Sequence, residues 1–264
     1  VQQATPQAQA FAASLAGFAA GDRILIALDF DGTLSPLVDN PGGARVLPRA
    51  ASAIRALEVL PDTWVAYVSG RPLESLISVT EADDAALLIG SHGVELRLAG
   101  GIVDVELDAD EASRLADLDA ALERLVAATP NATLERKPAG LGLHSRLMDP
   151  GDVPAFHAAA RVAADEVGGF TARDGKDILE FAVRNATKGD SVDLLRERVD
   201  ATAVLFAGDD VTDEDAFAVM REGDLGVKVG DGDTAAQFRV SDPEAVAVML
   251  TLLAGARQQA LAAR

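Results

Sequence analysis

Asp29 and Asp31 stand two apart in the run Asp29-Phe30-Asp31-Gly32-Thr33, directly after the apolar stretch ILIAL at 24–28. Side chains two apart on an extended strand point the same way. Both carboxylates are thus expected together at the carboxyl edge of a buried strand, where open α/β sheets place their ligands. Like charges this close repel, and burial adds to the cost. A divalent cation relieves both, and Mg2+ takes one or two carboxylates together with substrate phosphate oxygens. A second acidic group, GDDVTDED at 208–215, follows the apolar run AVLFA and opens a helix. Acids near a helix start suit its dipole. Thr212 could be an N-cap with Asp215 three residues on as its partner. Neither role calls for Asp209 and Asp210 at a strand end.

Two smaller sites join these. Ser69-Gly70-Arg71 ends the apolar run TWVAYV, and a hydroxyl with free backbone N–H groups at a strand-to-helix turn suits a phosphate oxygen. Lys188 opens another helix and supplies a cation. Four strand ends or helix starts, in this order, therefore each offer a group useful for phosphoryl transfer, which relies on charge neutralisation and in-line positioning.

The elements that must position these groups follow from hydrophobic spacing. Short apolar runs at 24–28, 63–68 and 86–90 predict strands buried on both faces, with helices at 48–60 and from about Pro72 between them. This alternation is that of a parallel α/β sheet. After His92 the rhythm changes. A hairpin is expected across 94–98 and 102–107, then a helix (110–128), strands 132–137 and 141–146, a helix (152–167), and strands 169–173 and 177–183. One α-β-β unit thus occurs twice, a pattern that builds a small antiparallel sheet with helices on one face. From Thr187 the βα alternation returns, with helices at 188–199, up to about 221 and at 242–255, and strands at 203–207 and 225–229. The middle module is read as an insertion in one α/β core.

Composition narrows the function classes. With 42 acidic and 23 basic residues the net charge is −19, which disfavours nucleic acid and anionic membranes as partners, because both need a positive field. The absence of cysteine removes thiolate chemistry and Cys-based metal sites. The apolar stretch 245–256 is broken by Thr251 and is short for a membrane span. The Ala-rich first residues lack the basic start of a signal peptide. A cytoplasmic protein is expected. No G-x-G-x-x-G or P-loop pattern occurs.

D-x-D-G-T, a strand-terminal Ser, a later Lys and the G-D-D turn resemble the phosphatases of the haloacid dehalogenase (HAD) superfamily, over about 22–98 and 184–264. The resemblance implies a Rossmann-like parallel-sheet core, 1–98 with 184–264, and an inserted α+β cap domain, 99–183. More narrowly, LDFDGTL, VSGR, SHGVELR, Glu135 with Lys137, His144 with Arg146, Glu180 and GDDVTDED resemble the trehalose-6-phosphate phosphatase family. The chain departs from that pattern at Arg184-Asn185, where Arg-Pro is common, and at Thr187-Lys188-Gly189, where Asn-Lys-Gly is.

The family likeness implies a phosphoric monoester hydrolase. Asp29 is then the nucleophile, and Asp31 protonates the leaving oxygen and later deprotonates water. Mg2+ is implied at Asp29, the Asp31 backbone carbonyl and Asp209, with Asp210 and Asp213 orienting metal-bound water. Ser69 and Lys188 hold phosphate oxygens, with Gly70 and Arg71 beside them. In the inserted module Glu135, Lys137, His144, Arg146, Lys176 and Glu180 are candidates to bind the sugar. His92, with Glu95 at the crossing between core and insertion, is a hinge residue or a ligand, and His157 is structural. The expected partner is a small sugar phosphate, and the expected state a monomer. Two alternatives stay open. One is a related phosphatase of the sucrose-6-phosphate or mannosyl-3-phosphoglycerate type. The other is an inactive, phosphatase-like regulatory module, which predicts loss of Asp29, Asp31, Lys188 or Asp209; all four are present.

Overall fold

The computed structural model describes residues 5–38, 40–98, 101–103, 107–175, 177–184 and 186–264. Two compact units divide the chain, Val1–Val103 with Ala186–Arg264, and Asp104–Asn185. The first begins with α1 (Pro6–Ala19), β1 (Ile24–Leu28), α2 (Pro48–Glu58), β2 (Thr63–Val68), α3 (Leu73–Thr80), β3 (Leu87–Gly90), β4 (Glu95–Leu98) and β5 (Gly101–Val103). The second holds α4 (Ala109–Ala127), β6 (Thr133–Lys137), β7 (Gly140–His144), α5 (Val153–Val167), β8 (Thr171–Gly175) and β9 (Ile178–Ala182). The first unit resumes with α6 (Lys188–Val199), β10 (Ala203–Gly208), α7 (Glu214–Ala218), β11 (Leu225–Val229), β12 (Phe238–Val240) and α8 (Pro243–Ala262).

The larger sheet runs β12-β11-β10-β1-β2-β3-β4-β5. Its first six strands pair in parallel, and β4 and β5 are antiparallel. The hairpin expected across 94–98 and 102–107 is therefore an extension of this sheet. The second unit begins at 104, not at 99, because β5 satisfies its backbone groups on β4. Residues 99–100 and 104–106 of that hairpin lie outside the described residues.

All five residues of β1 are buried, and its two faces feed different cores. Ile24, Ile26 and Leu28 pack among residues of α1, α2, α3 and α8, whereas Leu25 and Ala27 pack with Val192, Leu195 and Phe217 of α6 and α7. A strand covered on both sides reads as an unbroken apolar run. In the second unit the sheet order is β6-β7-β9-β8, all antiparallel. Leu141, Leu143, Leu179 and Phe181 face α4 and α5. The strand expected at 169–173 starts later, at Thr171, because Gly168 and Gly169 both take positive φ. At the other end of this unit Arg184 donates two hydrogen bonds to Glu111, at 2.9 and 2.8 Å. Arg184, and then the Asp108 N–H, push the Glu111 carboxyl down to about 2. Asn185 lies outside the described residues.

Helix α8 extends seven residues past the end expected for it and is long and apolar enough, by length and composition, to cross a membrane. Its Val246, Ala247, Met249, Leu250 and Leu253 are instead part of the sheet's core. Arg257, fully buried, ends that apolar face. Its guanidinium donates to the carbonyls of Ala19 (3.0 Å), Gly21 (2.5 Å), Asp22 (3.1 Å), Pro61 (3.2 Å) and Asp62 (2.9 Å), and to Thr63 Oγ1 (2.9 Å). One side chain thus ties α8 to the turns that lead into β1 and β2. Arg257→Leu strips these acceptors of their donor while keeping them buried, so it should lower stability by about 3 kcal/mol or more, read from urea unfolding. A loss under about 1 kcal/mol, the level of an ordinary surface change, would show that the turns are held by other contacts.

Candidate active site

Lys188 is the first residue of α6. Its place is set by the preceding residue, because the Thr187 hydroxyl accepts the Asp190 N–H (3.1 Å) and the Asp190 carboxylate accepts the Thr187 N–H (2.9 Å). This reciprocal box starts the helix there. The Lys188 ammonium, 2% exposed, donates to Asp29 Oδ1 (2.7 Å) and Asp213 Oδ1 (2.6 Å). Asp29 follows β1 and stays in the ladder through its N–H on Ala207 O, at 2.9 Å. Asp209 follows β10 and accepts the Thr33 hydroxyl at 3.3 Å. Asp29, Asp209 and Asp213 bring carboxylate oxygens within 4.8 Å of one another.

Burial raises the Asp29 carboxyl well above its ordinary range, with the charges of Asp213 and Asp209 adding to it against the pull of Lys188. Burial, then Asp213, also raises Asp209. Burial works against the Lys188 ammonium, but Asp29 and Asp213 outweigh it, and its pKa is raised. Two carboxylates share one ammonium and a third, Asp209, stands beside them, and the excess negative charge is what a divalent cation would neutralise. The backbone leaves room for these groups. A Cβ on Gly32 would lie 2.1 Å from Asp209 Oδ2, and one on Gly208 2.2 Å from Asp213 Cγ. The donor set therefore fits a hard cation, with Asp29 and Asp209 supplying oxygens. Asp213 accepts on both of its oxygens, from Lys188 and from the Asp210 N–H (2.8 Å).

Asp31 and Asp210 stand outside that cluster. Asp210 is exposed. Asp213, not Thr212 with Asp215, makes the reciprocal contact that starts this turn. Both Asp31 oxygens accept from Arg71, at 2.5 and 2.6 Å, and Arg71 also donates to Pro41 O (2.9 Å). Buried Ser69 accepts the Arg71 N–H through its hydroxyl (3.1 Å). The His92 ring lies against Gly70, where a Cβ would fall 2.5 Å from it, and His92 itself sits at φ 59°. Glu95 accepts the Leu73 N–H (3.2 Å) and the Ser91 hydroxyl.

In the smaller unit, strand alternation sets four candidates on the face of the sheet away from α4 and α5: Glu135 and Lys137 on β6, His144 on β7 and Glu180 on β9. Gly140 and Gly142 of the intervening β7 carry no side chain, so the Lys137 ammonium reaches across to Glu180. Glu135 pairs with His144 Nε2 at 2.9 Å. Arg146 is exposed in the turn beyond β7, and Lys176 lies outside the described residues. His157 is on α5, its ring tilted against that of Phe156 with centroids 5.9 Å apart, and burial lowers its pKa.

Two polar residues of interest escaped the sequence reading. Arg173 is in register with Glu180 on the same sheet face. Lys228, 4% exposed, donates to Asp209 O at 2.5 Å. Its signal was visible, since it is the one charge in the otherwise apolar strand LGVKV.

A parallel sheet carrying this Asp–Lys–Asp cluster at its carboxyl edge defines a HAD-fold protein. The family model described as trehalose-phosphatase matches residues 27–244, and the chain belongs to that family. An uncharacterized glycosyl hydrolase of Mycobacterium tuberculosis is 33% identical over 255 residues, a match that covers 91% of this chain and 19% of that protein. The chain thus spans about a fifth of that relative's length. A trehalose-6-phosphate phosphatase of Escherichia coli is 29% identical over 234 residues, covering 88% of this chain and 86% of the other. The C-terminal domain of a Candida albicans trehalose-6-phosphate phosphatase shares the fold, with a TM-score of 0.75 at 24% identity over 92% of this chain and 96% of that one.

Removing the ammonium should be costly. Lys188→Met leaves Asp29 and Asp213 buried without their partner and should destabilise the protein by about 3–5 kcal/mol in urea unfolding. Adding Asp213→Asn removes one of the two stranded charges and should recover part of that loss. If the double variant were less stable than the single one, the lysine would not be the group that offsets these carboxylates.

Proposed function

We propose that this chain hydrolyses trehalose 6-phosphate to trehalose and phosphate, with Mg2+ as its cofactor. The observation that carries the reading is the buried Lys188 ammonium between Asp29 and Asp213, beside Asp209, in a chain of the trehalose-phosphatase family. Asp29 attacks phosphorus, the bond from phosphorus to the sugar oxygen breaks, and an aspartyl phosphate forms. Asp31 gives a proton to the departing oxygen. It then takes one from the water that attacks the aspartyl phosphate, which frees Asp29 and inorganic phosphate. Both Asp31 oxygens accept from Arg71 in this structure, so the guanidinium must release one of them before a proton passes, and an arriving phosphate is a competing anion for it. Ser69 and Lys188 hold the remaining phosphate oxygens. When bound at Asp29 and Asp209, Mg2+ would supply charge neutralisation for the phosphoryl group. The sugar falls to Glu135, Lys137 and Glu180, whose carboxylates and ammonium suit hydroxyl groups.

The test is phosphate release from trehalose 6-phosphate, sucrose 6-phosphate, mannosyl-3-phosphoglycerate and p-nitrophenyl phosphate, with Mg2+ and with excess chelator. Trehalose 6-phosphate should be the preferred substrate, chelator should abolish turnover, and Asp29→Asn should leave none. Preference for another sugar phosphate, or full activity in chelator, would overturn the substrate or the cofactor respectively. Glu180→Ala removes a charge-assisted contact and should lower kcat/KM on trehalose 6-phosphate roughly ten- to a hundredfold while sparing p-nitrophenyl phosphate. Equal losses on both substrates would mean that Glu180 supports folding instead.

A further inference from the structure

Lys228 is a buried cation for which the proposed reaction has no use. β11 pairs with β10 so that Lys228 stands opposite Gly208, directly before the acidic turn. Its ammonium donates to Asp209 O at 2.5 Å, lies 3.4 Å from Asp210 O, and is 3.9 Å from Glu214 Oε1. The peptide unit that joins Asp209 to Asp210 is therefore held at both ends. Its carbonyl accepts from Lys228, and its N–H donates to Asp213 Oδ2 at 2.8 Å. The other oxygen of that carboxylate accepts from Lys188, which reaches Asp29. A continuous line of polar contacts runs from Lys228 through one peptide plane to Asp213, Lys188 and Asp29. Loss of the Lys228 contact would release the backbone from which the Asp209 side chain projects, and rotation of that plane would remove a donor from Asp213. Glu214 extends the same anchor, because its Oε2 accepts the Ala235 N–H at 2.8 Å and so fixes the loop after β11.

We propose that Lys228 is a positioning residue for divalent-cation binding: it locks the Asp209–Asp210 peptide so that the Asp209 carboxylate stays beside that of Asp29. This rests on the reading of Asp29 and Asp209 as cation ligands. A flexible turn would pay the ordering cost at each binding event, whereas a clamped one is organised beforehand. The effect belongs on cation affinity and not merely on folding.

The experiment is titration with Mn2+, with free Mn2+ counted by its electron paramagnetic resonance signal, on four folded proteins. These are wild type, Lys228→Met, Lys228→Gln and Val227→Ala. Val227 is the neighbouring buried residue whose side chain faces the opposite core, so its truncation lowers stability without touching the turn. Unfolding is followed in parallel. Lys228→Met should weaken Mn2+ binding at least tenfold. Lys228→Gln, which can still donate to the Asp209 carbonyl, should recover most of that loss, and if the methionine variant does not fold it carries the comparison at a smaller shift. Val227→Ala should bind as wild type does despite its lower stability. Wild-type affinity in both Lys228 variants, or an equal loss in Val227→Ala, would overturn the proposal. Failure of the wild-type protein to bind Mn2+ would overturn the cation reading beneath it instead.

Discussion

The contact of one ammonium with two buried carboxylates governs the architecture of the larger unit. Lys188, Asp29 and Asp213 come from three separate elements, and each is almost wholly withdrawn from water. Charges in such a place are tolerated only when paired with good geometry. That demand propagates outward. α6 must begin at Lys188, which the Thr187–Asp190 box ensures. The same helix must come close to the backbone of Asp215, and Gly189 allows it, since a Cβ there would fall 2.5 Å from the Asp215 carbonyl oxygen. β1 and β10 must be neighbours, and their parallel register, which ends at Leu28 and Ala207, places Asp29 one residue and Asp209 two residues beyond the paired ends.

Asp29 and Asp31 are two residues apart yet live in different surroundings. Asp29 is buried against a lysine, a compact point charge that can be shared by two carboxylates. Asp31 is partly exposed and meets an arginine, whose planar fork matches both oxygens of one carboxylate. The first arrangement fixes the Asp29 carboxylate within a charged cluster. The second leaves Asp31 on a partly exposed contact, one for which another anion can compete. The split follows from the strand end itself: alternation aims both side chains past the sheet edge, while only the first lies deep enough to be covered.

Much of this was legible in the sequence, because the legible parts are local. Buried parallel strands are unbroken apolar runs, so ILIAL, TWVAYV and AVLFA declared themselves, and their ends marked where the acids and Ser69 would lie, with Lys188 at a helix start. What escaped depends on distant partners. α1 is Ala-rich with little amphipathic contrast, and its burial comes through Leu15, Phe18 and Ala19 against the sheet. β12 is three residues long and exists because it pairs with β11. The engagement of Arg71 by Asp31 spans forty residues, and no spacing rule reaches that far. Lys228 belongs with these. A lone charge in a buried strand signals an unusual partner, but a carbonyl nineteen positions earlier carries no signature of its own.

The inserted unit applies the opposite economy of polar groups. Four polar residues on one face of its sheet are partly exposed and paired, Lys137 with Glu180 and Glu135 with His144. Gly140 and Gly142 clear the floor of the sheet between them, so those pairs stand along a strand that offers no side chains of its own there. A ligand that meets such a surface must offer hydroxyls to each member of a pair it separates, or leave a charge poorly solvated. Surfaces of this kind discriminate strongly against molecules that lack the matching hydrogen-bonding groups and weakly among those that have them. The buried cluster of the larger unit obeys a different rule. Its contacts are buried and fixed by the fold, whereas the pairs of the smaller unit are partly exposed and within reach of solvent.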